Sequence, residues 1–340
     1  MSILAAAIGV RQPKLDDALA GFAKSARPWS FILFREACVS REQVTRLCAD
    51  LREAAGHDAI IYIDQEGGRV ARLKAPMWPT WPACALYGKL YERDKERGIE
   101  AAKLGHRLIA HELKQMGVDA DYAPVLDVPV DGADLIIGDR AFSQDPDVIA
   151  VLGRAALKGL REGGVLGCVK HMPGHGRADA DSHLSLPKVS VGHNQLGADW
   201  APFRALNDAE AAMTAHIVYQ SIDPDRPATH SPIVIEKIIR GEIGFDGLLA
   251  SDDLDMKALE GTLQTKAEKA FAAGCDLVLQ CSGVIADMEN VAQGCPILSG
   301  KPLERAERAS RVAKAKPQPF DAAHAWHRYW SLMGPYWTPK

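Results

Sequence analysis

Long apolar runs are missing from this 340-residue sequence. The stretch Ile3 to Val10 comes nearest, but a bilayer-crossing helix needs about 20 such residues. No basic residue precedes it, as a signal peptide would require. It reads as a first strand, in a cytoplasmic protein with no membrane partner. The seven cysteines are odd in number and never spaced as CxxC, which argues against a zinc ribbon and for reduced thiols. Basic clusters are absent: 40 Lys and Arg are dispersed among 44 Asp and Glu, net charge −4, so nucleic acid is not an expected partner. No GxGxxG or GxxxxGK[ST] occurs, and no cofactor is expected. There is no Gly/Ser linker and no internal repeat, so a single domain over residues 1–340 is preferred.

What is present is a series of short apolar runs. Ile3–Ile8, Ser30–Phe34, Ala59–Asp64, Ala120–Val125, Gly164–His171, Ala211–Ile217, Gly247–Asp252 and Asp276–Cys281 read as eight strands. Helical stretches separate most of them. Ser40 with Gln43 makes a capping box that opens a helix to about Ala54, and a long helix covers Asp94–Met116. Asp145-Pro146 starts another that stops at Gly163-Gly164. Thr265 with Glu268 reads as a second capping box, ended by Gly274. After Gly300 come one helix and an aromatic tail (about 316–340) with Trp326, Tyr329, Trp330 and Trp337, expected to pack on the outer surface. Eight strands joined by helices point to an α/β fold, a closed (β/α)8 barrel of TIM type, with an open doubly wound sheet as the alternative.

Polar residues follow the strands: Asp64 and Arg72, then Asp127 and Arg140, then Lys170, His171, His175, Asp181 and His183, then His216, then Asp252-Asp253. A barrel brings such positions together on one face. Each taken alone could be a solvated loop charge or a helix cap. A carboxylate on a rigid strand end suits a nucleophile, and strand alternation allows only one of Asp252 and Asp253 to face inward. In Asp181-Ser182-His183 a carboxylate near an imidazole would orient the ring for proton transfer. His171, His175, Asp179 and His183 could instead hold a metal, but Pro173, Gly174 and Gly176 keep them off a common helix face, and no metal is expected. Gly67 and Gly68 would let the loop after strand three turn tightly. The glycine-bearing loop Met172–Ala180 is expected to move.

Seven segments, IDQEGGRVARL (from Ile63), APVLDV (from Ala123), IGDRAFS (from Ile137), KHMPGHG (from Lys170), DSHLSLP (from Asp181), MTAHIVY (from Met213) and SDDLDM (from Ser251), resemble glycoside hydrolase family 3. More narrowly, they are similar to its single-domain bacterial β-N-acetylglucosaminidases of peptidoglycan recycling. The resemblance runs from about Phe31 to Gln280. It implies a (β/α)8 barrel and a retaining mechanism through a covalent glycosyl-enzyme. It implies Asp252 as nucleophile and His183 as general acid/base assisted by Asp181. Asp64, Arg72, Arg140, Lys170 and His171 would then hold the terminal sugar. Most retaining glycosidases pair two carboxylates, and here an Asp–His pair would replace one of them. The expected partner is a small saccharide or muropeptide, and the expected state a monomer. Asp255 stands where the subgroup often has Ser, and Ala178 where a hydroxyl residue is common. Two other readings stay open: a metal-dependent barrel hydrolase using the loop histidines, and a non-catalytic sugar-binding protein.

Overall fold

The computed structural model describes residues 2–182 and 185–337. Eight parallel strands close into a barrel: β1 (Leu4–Val10), β2 (Pro28–Leu33), β3 (Ile60–Ile63), β4 (Ala120–Asp121), β5 (Leu166–Met172), β6 (Ala211–Thr214), β7 (Leu248–Asp253) and β8 (Leu277–Gln280). Each pairs with the next in sequence, and β8 returns to β1 through Ala6↔Val278. The eight strands read from apolar runs are therefore present, and the closed barrel is the outcome rather than the open sheet. β4 is shorter than expected. The regular ladder ends at Asp121, and the segment around Ala123-Pro124 stays tied to β5 through Cys168 N, which donates to Ala123 O at 2.9 Å, and through the Val125↔Lys170 bridge.

The strands are apolar on both faces because both are buried. Ala5, Ala7, Ile60, Tyr62, Leu166, Cys168, Leu248 and Ala250 fill the barrel, while Ala6, Ile8, Ile61, Ile63, Val169 and Leu249 pack outward under the helices. This is the two-residue alternation of a strand with helices wrapped around it. At roughly 1.5–3 kcal/mol per large buried side chain, these two layers are the main source of stability.

Several helices begin where the sequence signals them. Ser40 Oγ accepts from Gln43 N ahead of Arg41–Ala55, and Asp145 Oδ1 accepts from Asp147 N ahead of Pro146–Glu162. Each such cap is worth about 1 kcal/mol. One cap is displaced. Thr262, not Thr265, caps Leu263–Ala273, its Oγ1 accepting from Thr265 N at 3.2 Å. The tail contains a helix the sequence reading did not separate, Ala322–Met333. Its Trp326 ring stacks on Trp81 at 5.1 Å, and Tyr329 Oη meets Tyr87 Oη at 2.7 Å. Among the described residues no helix is long and apolar enough to cross a membrane.

Candidate active site

Strand parity builds the site. The inward series Ile60, Tyr62 continues to Asp64, Leu166 and Cys168 continue to Lys170, and Leu248 and Ala250 continue to Asp252. At the C-terminal mouth of the barrel the core therefore changes from apolar to charged within one side-chain layer. A cavity of about 260 Å³ opens there, lined by Asp64, Arg72, Arg140, Lys170, His171 and Asp252 among others. Six of the eight site residues named from sequence thus share one cavity. Asp181 is half-buried and does not line it, although the adjacent Ser182 does. His183 lies outside the described residues.

Asp64 sits between two cations, Arg72 Nη2 at 2.9 Å and Lys170 Nζ at 3.1 Å. Burial pushes its carboxyl up, but Lys170 and Arg72 outweigh that and hold it below the usual carboxylate range. Glu66, which the sequence reading passed over, is the stronger anchor. Arg140 grips it with two hydrogen bonds, at 2.9 and 2.8 Å, and Lys170 Nζ lies 2.7 Å away. Planar guanidinium on planar carboxylate fixes direction as well as charge. Burial opposes ionisation of Glu66, and Arg140 and Lys170 override it, so its pKa falls well below the usual range. Lys170 feels the converse: burial would lower its pKa, but Glu66 and Asp64 raise it above the usual lysine range. Both ends of these pairs are buried charge, so removing one partner would strand the other. The signal for Glu66 was available, since residues 64 and 66 of an extended chain point the same way.

The hairpin of Gln65–Gly67 with Val70–Ala71 carries these groups. Gln65 is buried; its Oε1 accepts from both Arg72 N and Leu73 N at 3.0 Å, which fixes the start of the Arg72 side chain. Gly67 has φ +101°, and a Cβ there would meet Pro82 O at 2.3 Å. Only glycine lets the hairpin lie this close to residues 81–84.

Asp127 organises the next loop. Its Oδ2 accepts from His171 Nδ1 at 2.7 Å, and its Oδ1 accepts from the backbone of His171 and His175. That orients the His171 ring and leaves Nε2 for a ligand. His175 is buried beside it, rings 5.6 Å apart, and burial lowers its pKa to about 4, so it is neutral. The loop itself is tied down at its start. Tyr219 Oη donates to Gly174 O at 2.6 Å, and Val130 N donates to Gly176 O at 3.3 Å. A Cβ on Gly176 would fall 1.9 Å from Val128 O, so glycine here serves close packing.

Asp252 projects from the end of β7, 7% exposed. Among the described residues its carboxylate accepts one hydrogen bond, from Asp253 N at 2.8 Å. Burial raises its pKa, but the His216 and His171 rings, that amide and Lys170 together lower it below the usual range. A buried carboxylate that is ionised and sparsely bonded retains lone pairs for chemistry. His216 backs this strand end, its Nε2–H donating to Asp253 O at 2.9 Å, and burial lowers its pKa. Asp253 also reaches the rim of the cavity, contrary to the expectation that only one of the pair would, because the strand ends there and alternation lapses. Asp255 has a structural use: its Oδ2 accepts from Cys281 N, Ser282 N and Gln280 Nε2, tying the β7 loop to the end of β8. Ala178 is buried and its N–H donates to His175 O at 3.1 Å. Among the described residues no three His, Cys, Asp or Glu side chains converge as a metal site would require.

The comparisons with known proteins agree with this architecture. Residues 29–314 match the model of the glycosyl hydrolase family 3 N-terminal domain. A β-hexosaminidase of Aromatoleum aromaticum is 36% identical over 299 residues, 85% of this chain and 81% of that protein. One from Alkalilimnicola ehrlichii is 40% identical over 259 residues, 74% of this chain and 73% of that one. The crystal structure of NagZ from Neisseria gonorrhoeae in complex with N-trifluoroacetyl-D-glucosamine superposes with a TM-score of 0.87 at 31% identity, covering 98% of both chains. With a family model spanning most of the barrel and relatives matched along most of their own length, the chain belongs to glycoside hydrolase family 3.

Proposed function

We propose that this glycoside hydrolase is an exo-acting β-N-acetylglucosaminidase that releases terminal GlcNAc with retention of configuration. The observation that carries the proposal is Asp252: an ionised, buried carboxylate at the end of β7, in a cavity of monosaccharide size walled by Asp64, Arg72, Lys170 and His171. The relatives' names, β-hexosaminidase and a NagZ bound to an N-acylated glucosamine, support an amino sugar as the residue bound.

In the reaction, an Asp252 oxygen forms a bond to the anomeric carbon as the bond to the aglycone oxygen breaks. His183, assisted by Asp181, gives its proton to the departing oxygen. His183 then takes a proton from water, whose oxygen displaces Asp252 from the anomeric carbon and regenerates the carboxylate. Asp64, Arg72, Lys170 and His171 meet the hydroxyls. Two of these four are cations neutralised by Asp64 and Glu66, which keeps them from binding anions indiscriminately. Arg140 holds the Lys170–Glu66 pair in place from the cavity wall. The substrate class is peptidoglycan fragments, muropeptides with GlcNAc linked to 1,6-anhydro-MurNAc. That part rests on the family resemblance of the seven sequence segments.

Mass spectrometry of protein trapped with a fluorinated GlcNAc donor tests the proposal. The expected result is one added GlcNAc-type mass on the peptide containing Asp252. Turnover without any covalent adduct would remove the retaining mechanism, and full activity of Asp252→Asn would remove Asp252 from it.

A further inference from the structure

The end of the first strand carries a cation that this chemistry does not use. Arg11 follows β1 directly. Its Nε–H donates to the Cys281 carbonyl beyond β8 at 2.9 Å, and its Nη1 lies 3.3 Å from the exposed Glu36. Its guanidinium carbon stands 4.1 Å from the centroid of the Phe34 ring, beyond β2. The Arg72 guanidinium lies over the same ring at 5.1 Å. Phe34, Arg72 and Cys281 line the cavity, and Arg72 in turn binds Asp64. Room for Arg11 comes from Gly283, φ +76°, where a Cβ would come within 3.0 Å of the arginine Cγ and Cδ. One side chain thus joins the ends of three strands, including the two that close the barrel.

Arginine suits this place because it can stack its plane on a ring and donate in that plane at once. Lysine has no plane to stack. We infer that Arg11 is a positioning residue of the sugar-binding cavity. Through Phe34 and the Cys281 carbonyl it fixes the wall from which Arg72 and Asp64 meet the sugar. The inference rests on the glycosidase reading above. It places the effect on binding, away from Asp252, so KM should move and kcat should not.

The test compares hydrolysis of 4-nitrophenyl β-GlcNAc, affinity for GlcNAc by calorimetry, and thermal unfolding. The proteins are wild type, Arg11→Ala, Arg11→Lys, Phe34→Leu, Arg11→Ala/Phe34→Leu and Glu36→Gln. Both Arg11 variants should raise KM about 5–10-fold with kcat within about twofold of wild type. GlcNAc affinity should weaken by the same factor. The double variant should lose no more than the worse single variant, since both act through one contact. Glu36→Gln should match wild type. Should Arg11→Ala fail to fold, Arg11→Lys carries the same expectation. Unchanged KM and affinity in the Arg11 variants, full rescue by lysine, or an equal loss in Glu36→Gln would each overturn the inference. A wild type that binds GlcNAc without cleaving it would sink the glycosidase reading alone, and the affinity series would still decide on Arg11. A wild type that neither binds nor cleaves would sink both.

Discussion

The two mouths of the barrel are both ringed with buried acids, yet they are built for opposite ends. At the N-terminal mouth Asp119 precedes β4 and Asp276 precedes β8. Asp119 meets Arg52, Lys114 and Lys314, and its Oδ2 accepts from Ile61 N in β3. Asp276 meets Arg240 and Arg305, and its Oδ2 accepts from Leu249 N in β7. Both are saturated, and each bolts its own strand to the strand next door. At the C-terminal mouth Glu66 is saturated in the same way, but Asp252 is not, and a cavity lies in front of it. Charge saturated by partners holds structure together. Charge left with spare lone pairs does chemistry.

That contrast can be broken by substitution. Asp252→Asn should cut kcat for an aryl β-GlcNAc by about a thousandfold or more while leaving the melting temperature near wild type. A variant that melts early instead would make Asp252 a structural acid like those below. Asp276→Ala should do the reverse, costing about 3 kcal/mol of stability by stranding Arg240 and Arg305, with kcat/KM at 20 °C within a few-fold of wild type. Urea unfolding and a low-temperature assay read the two effects separately. Glu66→Gln sharpens the comparison, because it is a saturated acid inside the functional mouth. It should lose both, on the order of tenfold in kcat/KM and about 1–2 kcal/mol in stability, since Lys170 and Arg140 lose a charged partner but keep a hydrogen-bonding one.

The last comparison is Asp121, which pairs with Ile63 across the β3–β4 ladder and shares its outward parity. Its Oδ1 accepts from Gln65 N at 2.9 Å, its Oδ2 has no hydrogen-bond partner among the described residues, and burial raises its pKa to about 8. Its folded pKa is above the unfolded value, so its stabilising share is full in acid and is lost as pH rises toward 8. Asp121→Asn escapes that loss. Its stability advantage over wild type should grow from pH 5 to pH 8, by at most about 1.4 kcal/mol per unit, then level off. An advantage that is flat with pH would mean that Asp121 is ionised throughout.

Much of this was legible before any coordinates, because barrel geometry converts a one-dimensional rule into a site. Tyr62 and Asp64, Cys168 and Lys170, Ala250 and Asp252 are two apart, and a strand end places every second residue toward the axis. What was not legible was who pairs with whom. Glu66 with Arg140 and Asp127 with His171 join residues 74 and 44 positions apart, and no local pattern announces them. The cap at Thr262 was misplaced because Thr265 offers the same chemistry one turn later. In the loop expected to move, Gly176 sits so close to its neighbour that a Cβ would fall 1.9 Å from Val128 O, and Gly174 O accepts from Tyr219 Oη. Glycine in a sequence can mean freedom or lack of room, and only packing tells which.

Closure of the barrel has a consequence for how the chain is made. Ala6 pairs with Val278, so the opening strand must wait for a partner synthesised at the far end of the polypeptide. At roughly 5–20 residues per second the ribosome takes tens of seconds to deliver it. Throughout that interval the nascent sheet has two raw edges and an unfinished ring. Until Leu277–Gln280 arrives no complete binding cavity exists, and the growing chain is at its most vulnerable to sticking to its neighbours.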